Sequence, residues 1–183
     1  MVNHSSTGAA SAGPGGPVLD AKPYIAHDPR IGYLYVPNSR MTLPVPGGAT
    51  YTIAINAAGI RSNREYTREK PPGVSQRIIV LGDSFTAGQY VSNEHRFTEH
   101  LERRMGPTVE VINFGLEGTG TDQQLLIYEH IARHYEHDLV ILLPFLQNIR
   151  RNMVDARESF DPKTLEKIWL PKPRFRLVGG GHG

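Results

Sequence analysis

The chain contains no cysteine, which excludes disulfides and thiolate metal sites. No apolar stretch approaches the roughly 20 residues that a membrane-spanning helix needs. The opening residues, Met1-Val2-Asn3-His4-Ser5-Ser6-Thr7-Gly8, lack the basic and apolar regions of a signal peptide. Charge of neither sign dominates: Lys and Arg together number 20 against 18 for Asp and Glu, so no basic stripe is available for a nucleic acid. Aromatic residues are not interleaved with Arg or Lys, as a single-strand stacking platform would require. The reading is a soluble chain with no membrane span and no nucleic-acid partner, cytoplasmic by default. Its 183 residues suffice for one domain with a sizeable core, or for part of a larger one.

What is present falls into four stretches. Residues 1–20 are mostly Gly, Ala, Ser and Pro, too poor in apolar side chains to offset the entropy of ordering, and read as a disordered tail. Residues 21–76 read as an extended, β-rich segment and a linker. Within them Arg40-Met41-Thr42-Leu43-Pro44-Val45 and Thr50-Tyr51-Thr52-Ile53-Ala54-Ile55-Asn56 flank a Pro46-Gly47-Gly48 turn, which predicts a hairpin with Pro44 at an edge. Residues 77–178 read as an α/β domain and residues 179–183 as a flexible tail.

Inside that domain three aliphatic runs alternate with two helical patterns, which predicts a right-handed parallel βαβαβ unit with all three strands buried. The strands end at Asp83, Phe114 and Phe145, with the first expected between the other two. The first helix is predicted over residues 93–104, with Phe97, Leu101 and Met105 on its core face. The second is predicted to open on a capping box of Thr121 and Gln124 and to bury Leu125, Tyr128, Ile131 and Tyr135. Arg174-Phe175-Arg176-Leu177-Val178 suggests a last short strand, and Trp169 a packing residue.

The carboxyl ends of parallel strands share one rim, where open α/β sheets place their ligands. There the first strand presents Asp83 and Ser84. The second presents Asn113 and the Gly-rich loop from Gly115 to Gly120, and the third Gln147 and Asn148. Ser84 reads as a nucleophile if a base is near, or as part of a helix cap with Asp83. Asp83 itself reads as an orienter of the turn rather than an acid or base. Backbone N–H groups of a Gly loop and an Asn amide suit a developing oxyanion. The loop contains neither G-x-x-x-x-G-K-[ST] nor G-x-G-x-x-G, so no nucleotide or other cofactor is expected.

Gly82-Asp83-Ser84-Phe85-Thr86-Ala87-Gly88 closely resembles the first block of the SGNH (GDSL-type) hydrolases. Val111-Ile112-Asn113-Phe114-Gly115 with Gly118-Thr119-Gly120-Thr121-Asp122-Gln123 resembles the second block, and Phe145-Leu146-Gln147-Asn148-Ile149-Arg150 the third. Asn56-Ala57-Ala58-Gly59-Ile60-Arg61 is similar to an N-terminal segment of many bacterial members, so the resemblance runs over residues 27–176. It implies a three-layer α/β sandwich with a parallel flavodoxin-like sheet and a serine esterase or acylhydrolase. Ser84 would be the nucleophile, with oxyanion donors from the Gly115 N–H and the Asn148 amide. Asp83, Asn113 and Gln147 are candidate substrate-binding residues. The family usually shows Asn-Asp in its third block, so Gln147 is an alternative to Asn148. The implied partner is a small-molecule, carbohydrate or lipid ester.

The family's fourth block, D-x-x-H, is missing: no Asp of this chain is followed three residues later by His. With three parallel strands where the family has about five, the resemblance implies the N-terminal portion of a longer hydrolase. The alternative is a catalytically impaired or non-catalytic binding module. The third strand, at a sheet edge, would then invite self-association. His130, His134 and His137 read as a solvated helix face rather than a metal site. Arg150, Arg151 and Arg157 read as a solvated face or as contacts to an acidic group.

Overall fold

The protein is described from a computed structural model, which covers residues 24–160 and 166–175. The predicted tails at 1–20 and 179–183 lie outside the described residues. Two antiparallel hairpins lead the described residues. In the first, β1 (Ile25–Asp28) pairs with β2 (Gly32–Tyr35). Its turn is closed by the Asp28 carboxylate, which accepts from the N–H groups of Arg30 and Ile31 at 2.9 and 3.0 Å. In the second, β3 (Arg40–Pro44) pairs with β4 (Thr50–Ala54), as the alternation predicts. Gly47 and Gly48 make the turn at φ of 103° and 92°, a region that side chains disfavour.

The central sheet is parallel, in the order β6-β5-β7, with β5 (Gln76–Gly82) between β6 (Val109–Asn113) and β7 (Leu139–Leu143). The expected central place of the strand that ends at Asp83 is met. Ile79, Leu81 and Ile112 bury one face of the sheet against Ile127 and against Ile31, Tyr33 and Ile53 of the hairpins. Ile78, Val80 and Val111 bury the other.

The helices depart from their predicted faces. A 3-10 turn at Asn93–His95 precedes α2 (Phe97–Met105), in which Phe97 and Met105 are 43% and 42% exposed. Thr98 is buried in their place because its hydroxyl accepts from the Asn113 amide at 3.0 Å. The capping box of α3 (Thr121–His130) sits one residue earlier than predicted, with Gln123 Oε1 accepting from the Gly120 N–H at 3.4 Å. Leu125 is 45% exposed, while Asp122, Gln123 and Gln124 are buried. The packed face is polar because Gln123 Nε2 donates to the Ile31 carbonyl at 2.8 Å and Asp122 pairs with the buried Lys172.

Strand β7 is not buried as predicted. Leu139, Val140, Leu142 and Leu143 are all exposed, because no strand among the described residues pairs its outer edge. After the short α4 (Asn148–Asn152), β8 (Ala156–Phe160) and β9 (Lys167–Pro171) form a third hairpin, with Trp169 exposed rather than packed. Of the strand expected from Arg174 to Val178, only Arg174 and Phe175 fall among the described residues. Residues 172–175 are irregular, and 176–178 lie outside the described residues. Among the described residues no helix is long and apolar enough to cross a membrane.

Candidate active site

The turn after β5 is built around its glycines. A Cβ at Gly82 would overlap the Thr86 side chain, and Gly88 closes α1 (Ser84–Ala87) at φ 80°. Asp83 is the N-cap: its Oδ1 accepts from the Phe85 N–H at 3.0 Å. The capping role therefore falls to Asp83, as its reading as a turn orienter implies. Ser84 is left as the first helical residue, half-buried, its hydroxyl without a hydrogen bond among the described residues.

The second rim segment departs from two assignments. Asn113 is buried and fully engaged, its amide donating to the Thr86 carbonyl at 2.7 Å and to Thr98. Its Oδ1 accepts from the Gly115 N–H at 2.8 Å. Gly115 therefore spends its donor inside an Asx turn and has none left for an oxyanion, and Asn113 is a structural anchor rather than a substrate contact. The N–H groups of Glu117 and Gly118 carry no partner among the described residues, and Gly118 holds φ 74°.

The third segment places positions 147 and 148 in different surroundings. Gln147 is exposed, whereas Asn148 is 1% exposed. The Asn148 N–H donates to the Phe145 carbonyl at 2.8 Å, and its Oδ1 accepts from Arg151 Nη1 at 3.0 Å. Its Nδ2 is buried with no partner. An unmet buried donor costs about 1–3 kcal/mol, so such a group in a folded protein calls for an explanation.

Arg151 joins the three segments. Besides Asn148, its Nη1 donates to Asp83 Oδ2 at 2.8 Å and to the Thr119 carbonyl at 3.2 Å. Each parallel strand thus sends one acceptor to the same guanidinium nitrogen, whose two hydrogens are shared among three oxygens. Asn152, on the same short helix, donates to Thr121 Oγ1 at 2.7 Å and accepts from the Asp122 N–H at 3.3 Å. Helix α4 is therefore pinned to the start of α3 at two points.

Beneath the Gly-rich loop lies a second polar cluster, supplied by the hairpins. Glu117 Oε2 accepts from the Tyr35 hydroxyl at 2.5 Å, and its Oε1 lies 3.6 Å from Arg61 Nη1. The Glu117 carbonyl accepts from the Tyr33 hydroxyl at 3.1 Å and from Arg157 at 2.5 Å. The Arg157 guanidinium also stacks over the Tyr33 ring, 4.6 Å from its centroid. Burial pushes the hydroxyl of Tyr35 well above its usual range, and the neighbouring Glu117 carboxylate adds to it. Arg151 and Arg157 are thus half-buried and hydrogen-bonded through Nη1 rather than a solvated face, whereas Arg150 is exposed. Arg61, Glu117 and the role of Arg151 were missed from sequence, although the i, i+3 spacing of Asn148 and Arg151 on one helix signals the last.

Next to the rim, Asp83, Phe85, Thr86, Phe97, Leu143, Pro144 and Phe145 line an open, largely apolar depression of about 420 Å³. The rings of Phe85 and Phe145 meet there, 5.1 Å apart. No histidine among the described residues bonds to Ser84. His95 is exposed beside Glu94, and His137 binds the Tyr135 carbonyl at 2.6 Å. No group of three metal-ligating side chains occurs among the described residues. No protein-family model and no curated protein sequence matches this chain.

Proposed function

We propose that the chain is a serine ester hydrolase of SGNH type, in which Ser84 attacks an ester carbonyl and the Asn148 amide donates to the oxyanion. On this reading the parallel sheet belongs to a three-layer, flavodoxin-like sandwich. The observation that carries the proposal is the pairing of an unengaged Ser84 hydroxyl with a buried, partnerless Asn148 Nδ2, their segments tied together through Asp83 and Arg151. The loop donor, on this reading, comes from Glu117 or Gly118 instead of Gly115, whose N–H is spent on Asn113. The depression beside Asp83 suits the acyl part of a small-molecule, carbohydrate or lipid ester. The chemistry needs no cofactor.

The test is hydrolysis of p-nitrophenyl acetate beside Ser84→Ala, together with mass-spectrometric mapping of a fluorophosphonate adduct. An adduct on Ser84 and a rate lost in the variant support the proposal. Identical rates and no adduct would overturn it. A second reading, a non-catalytic or impaired binding module, is favoured by the lack of any histidine bonded to Ser84 among the described residues. It expects ester binding without turnover.

A further inference from the structure

We infer that Arg151 is a positioning residue that fixes which end of the Asn148 amide is offered to the oxyanion, an inference that rests on the reading of Ser84 as nucleophile. A carboxamide has an accepting and a donating end of nearly the same shape, and only its neighbours decide which faces where. A guanidinium has donors alone, so the end of Asn148 that faces Arg151 Nη1 at 3.0 Å must be Oδ1. The donor Nδ2 is thereby left over, buried and unpaired. Without Arg151 nothing among the described residues distinguishes the two ends, and a flipped amide would set an acceptor against an oxyanion.

Arg151 is itself held on both sides. Asp83 Oδ2, 2.8 Å away and 1% exposed, supplies the countercharge, and the Thr119 carbonyl accepts at 3.2 Å. Asp83 directly precedes Ser84. A single carboxylate thus orders the nucleophile's turn through Oδ1 and the donor's orientation through Oδ2. The i, i+3 relation of Asn148 and Arg151 makes the contact local to one helical turn.

The test uses the whole ¹⁵N-labelled chain and follows the Asn148 side-chain amide, assigned by its loss in Asn148→Ser. Arg151→Met removes the donor but leaves Asp83 buried without a partner. Asp83→Asn/Arg151→Met removes both charges and keeps the experiment interpretable if the single variant does not fold. In both, the Asn148 amide resonances should shift and show a second orientation of the amide, while Arg151→Lys should retain much of the wild-type signature. Affinity for phenylboronic acid, which forms a tetrahedral anion on a reactive serine, should fall about tenfold in the Met variants. That is short of the roughly hundredfold or more lost when an oxyanion donor is deleted outright. Unchanged Asn148 resonances in the double variant would overturn the inference. Wild-type protein that binds no boronic acid, with resonances shifting as expected, would overturn the Ser84 reading while upholding the role of Arg151 in orienting the amide.

Discussion

Arg61 offers the sharpest test of how the hairpins support the Ser84 rim. Its side chain has no solvent exposure. It donates to Asn93 Oδ1 at 2.9 Å, to the carbonyls of Ala87 and Gly88 at 2.7 and 3.1 Å, and to that of Val91 at 2.5 Å. Three of those carbonyls belong to the segment that leaves α1, so this one guanidinium closes the turn that follows Ser84. Arg61→Ala takes a donor from four acceptors, of which the Gly88 carbonyl keeps the Val91 N–H at 3.2 Å, and the nearest cation from the buried Glu117 carboxylate. Breaking a buried ion pair costs about 3–5 kcal/mol, and each orphaned acceptor about 1–3 before water enters the space left behind. With water re-solvating some of the carbonyls, the net loss should be about 4 kcal/mol. At about 2–4 °C per kcal/mol for a chain of this size, the melting temperature should fall by roughly 8–16 °C. Urea unfolding followed by circular dichroism measures the loss directly. Arg61→Lys keeps the charge but carries its donors on one nitrogen, which does not span all four acceptors, and should lose about half as much. A loss in Arg61→Ala below about 1 kcal/mol, the range of an exposed ion pair, would refute the reasoning.

Three further outcomes follow from the same contacts. Gly115→Ala should cost about 1–3 kcal/mol in chemical unfolding, because a Cβ there falls 2.7 Å from the Thr86 carbonyl carbon and within overlap of the Ala87 nitrogen; an unchanged midpoint would show that α1 is free to shift. Asp138 is held below the usual carboxylate range by hydrogen bonds from Lys70 and from the Arg77 N–H, so its contribution is present above about pH 4 and lost as the pH falls through its lowered value. Asp138→Asn should therefore be less stable than wild type at neutral pH, with the gap closing in acid, and a gap that widened in acid would reverse the assignment. Leu142→Lys should lower any concentration-dependent self-association in sedimentation velocity, since β7 carries exposed leucines along an edge that no described strand pairs.

Legibility in the sequence divided along physical lines. The parallel sheet and its order were readable because β5 is aliphatic from Ile78 to Leu81 and buried on both faces, and because parallel strands need helical crossovers. The same reasoning failed for β7, whose composition is as apolar: a run of Leu and Val states what a strand is able to bury, not whether anything covers it. Helix α3 was misread because its packed face is paid for by polar partners far away in the chain, Ile31 for Gln123 and Lys172 for Asp122. Hydrophobic periodicity is blind to such pairs. Positions 147 and 148 differ in burial, which no residue count supplies. Gly115 is different, since Asn113-Phe114-Gly115 is an Asx-turn signature and its N–H was accountable from sequence.

On the proposed reading of Ser84 as nucleophile, the charge arrangement around it leads to a last prediction. Asp83 is the carboxylate adjacent to it in sequence, yet both Asp83 oxygens are committed, one to the Phe85 N–H and one to Arg151, and the side chain is buried. It is thus not placed to accept the Ser84 proton. No histidine among the described residues bonds to Ser84. A serine with donors but no base keeps only the part of catalysis that oxyanion stabilisation and binding provide, about 10³–10⁴-fold over water in enzymes stripped of their triad. Its attack then depends on the fraction of alkoxide, which rises with hydroxide concentration across the neutral range. Ser84-dependent release of p-nitrophenol should accordingly climb tenfold per pH unit from about pH 6 to 8, without levelling. An imidazole base would instead give a plateau above about pH 6.5. A plateau there, lost in Ser84→Ala, would refute the prediction and identify a histidine acting on Ser84 in this chain.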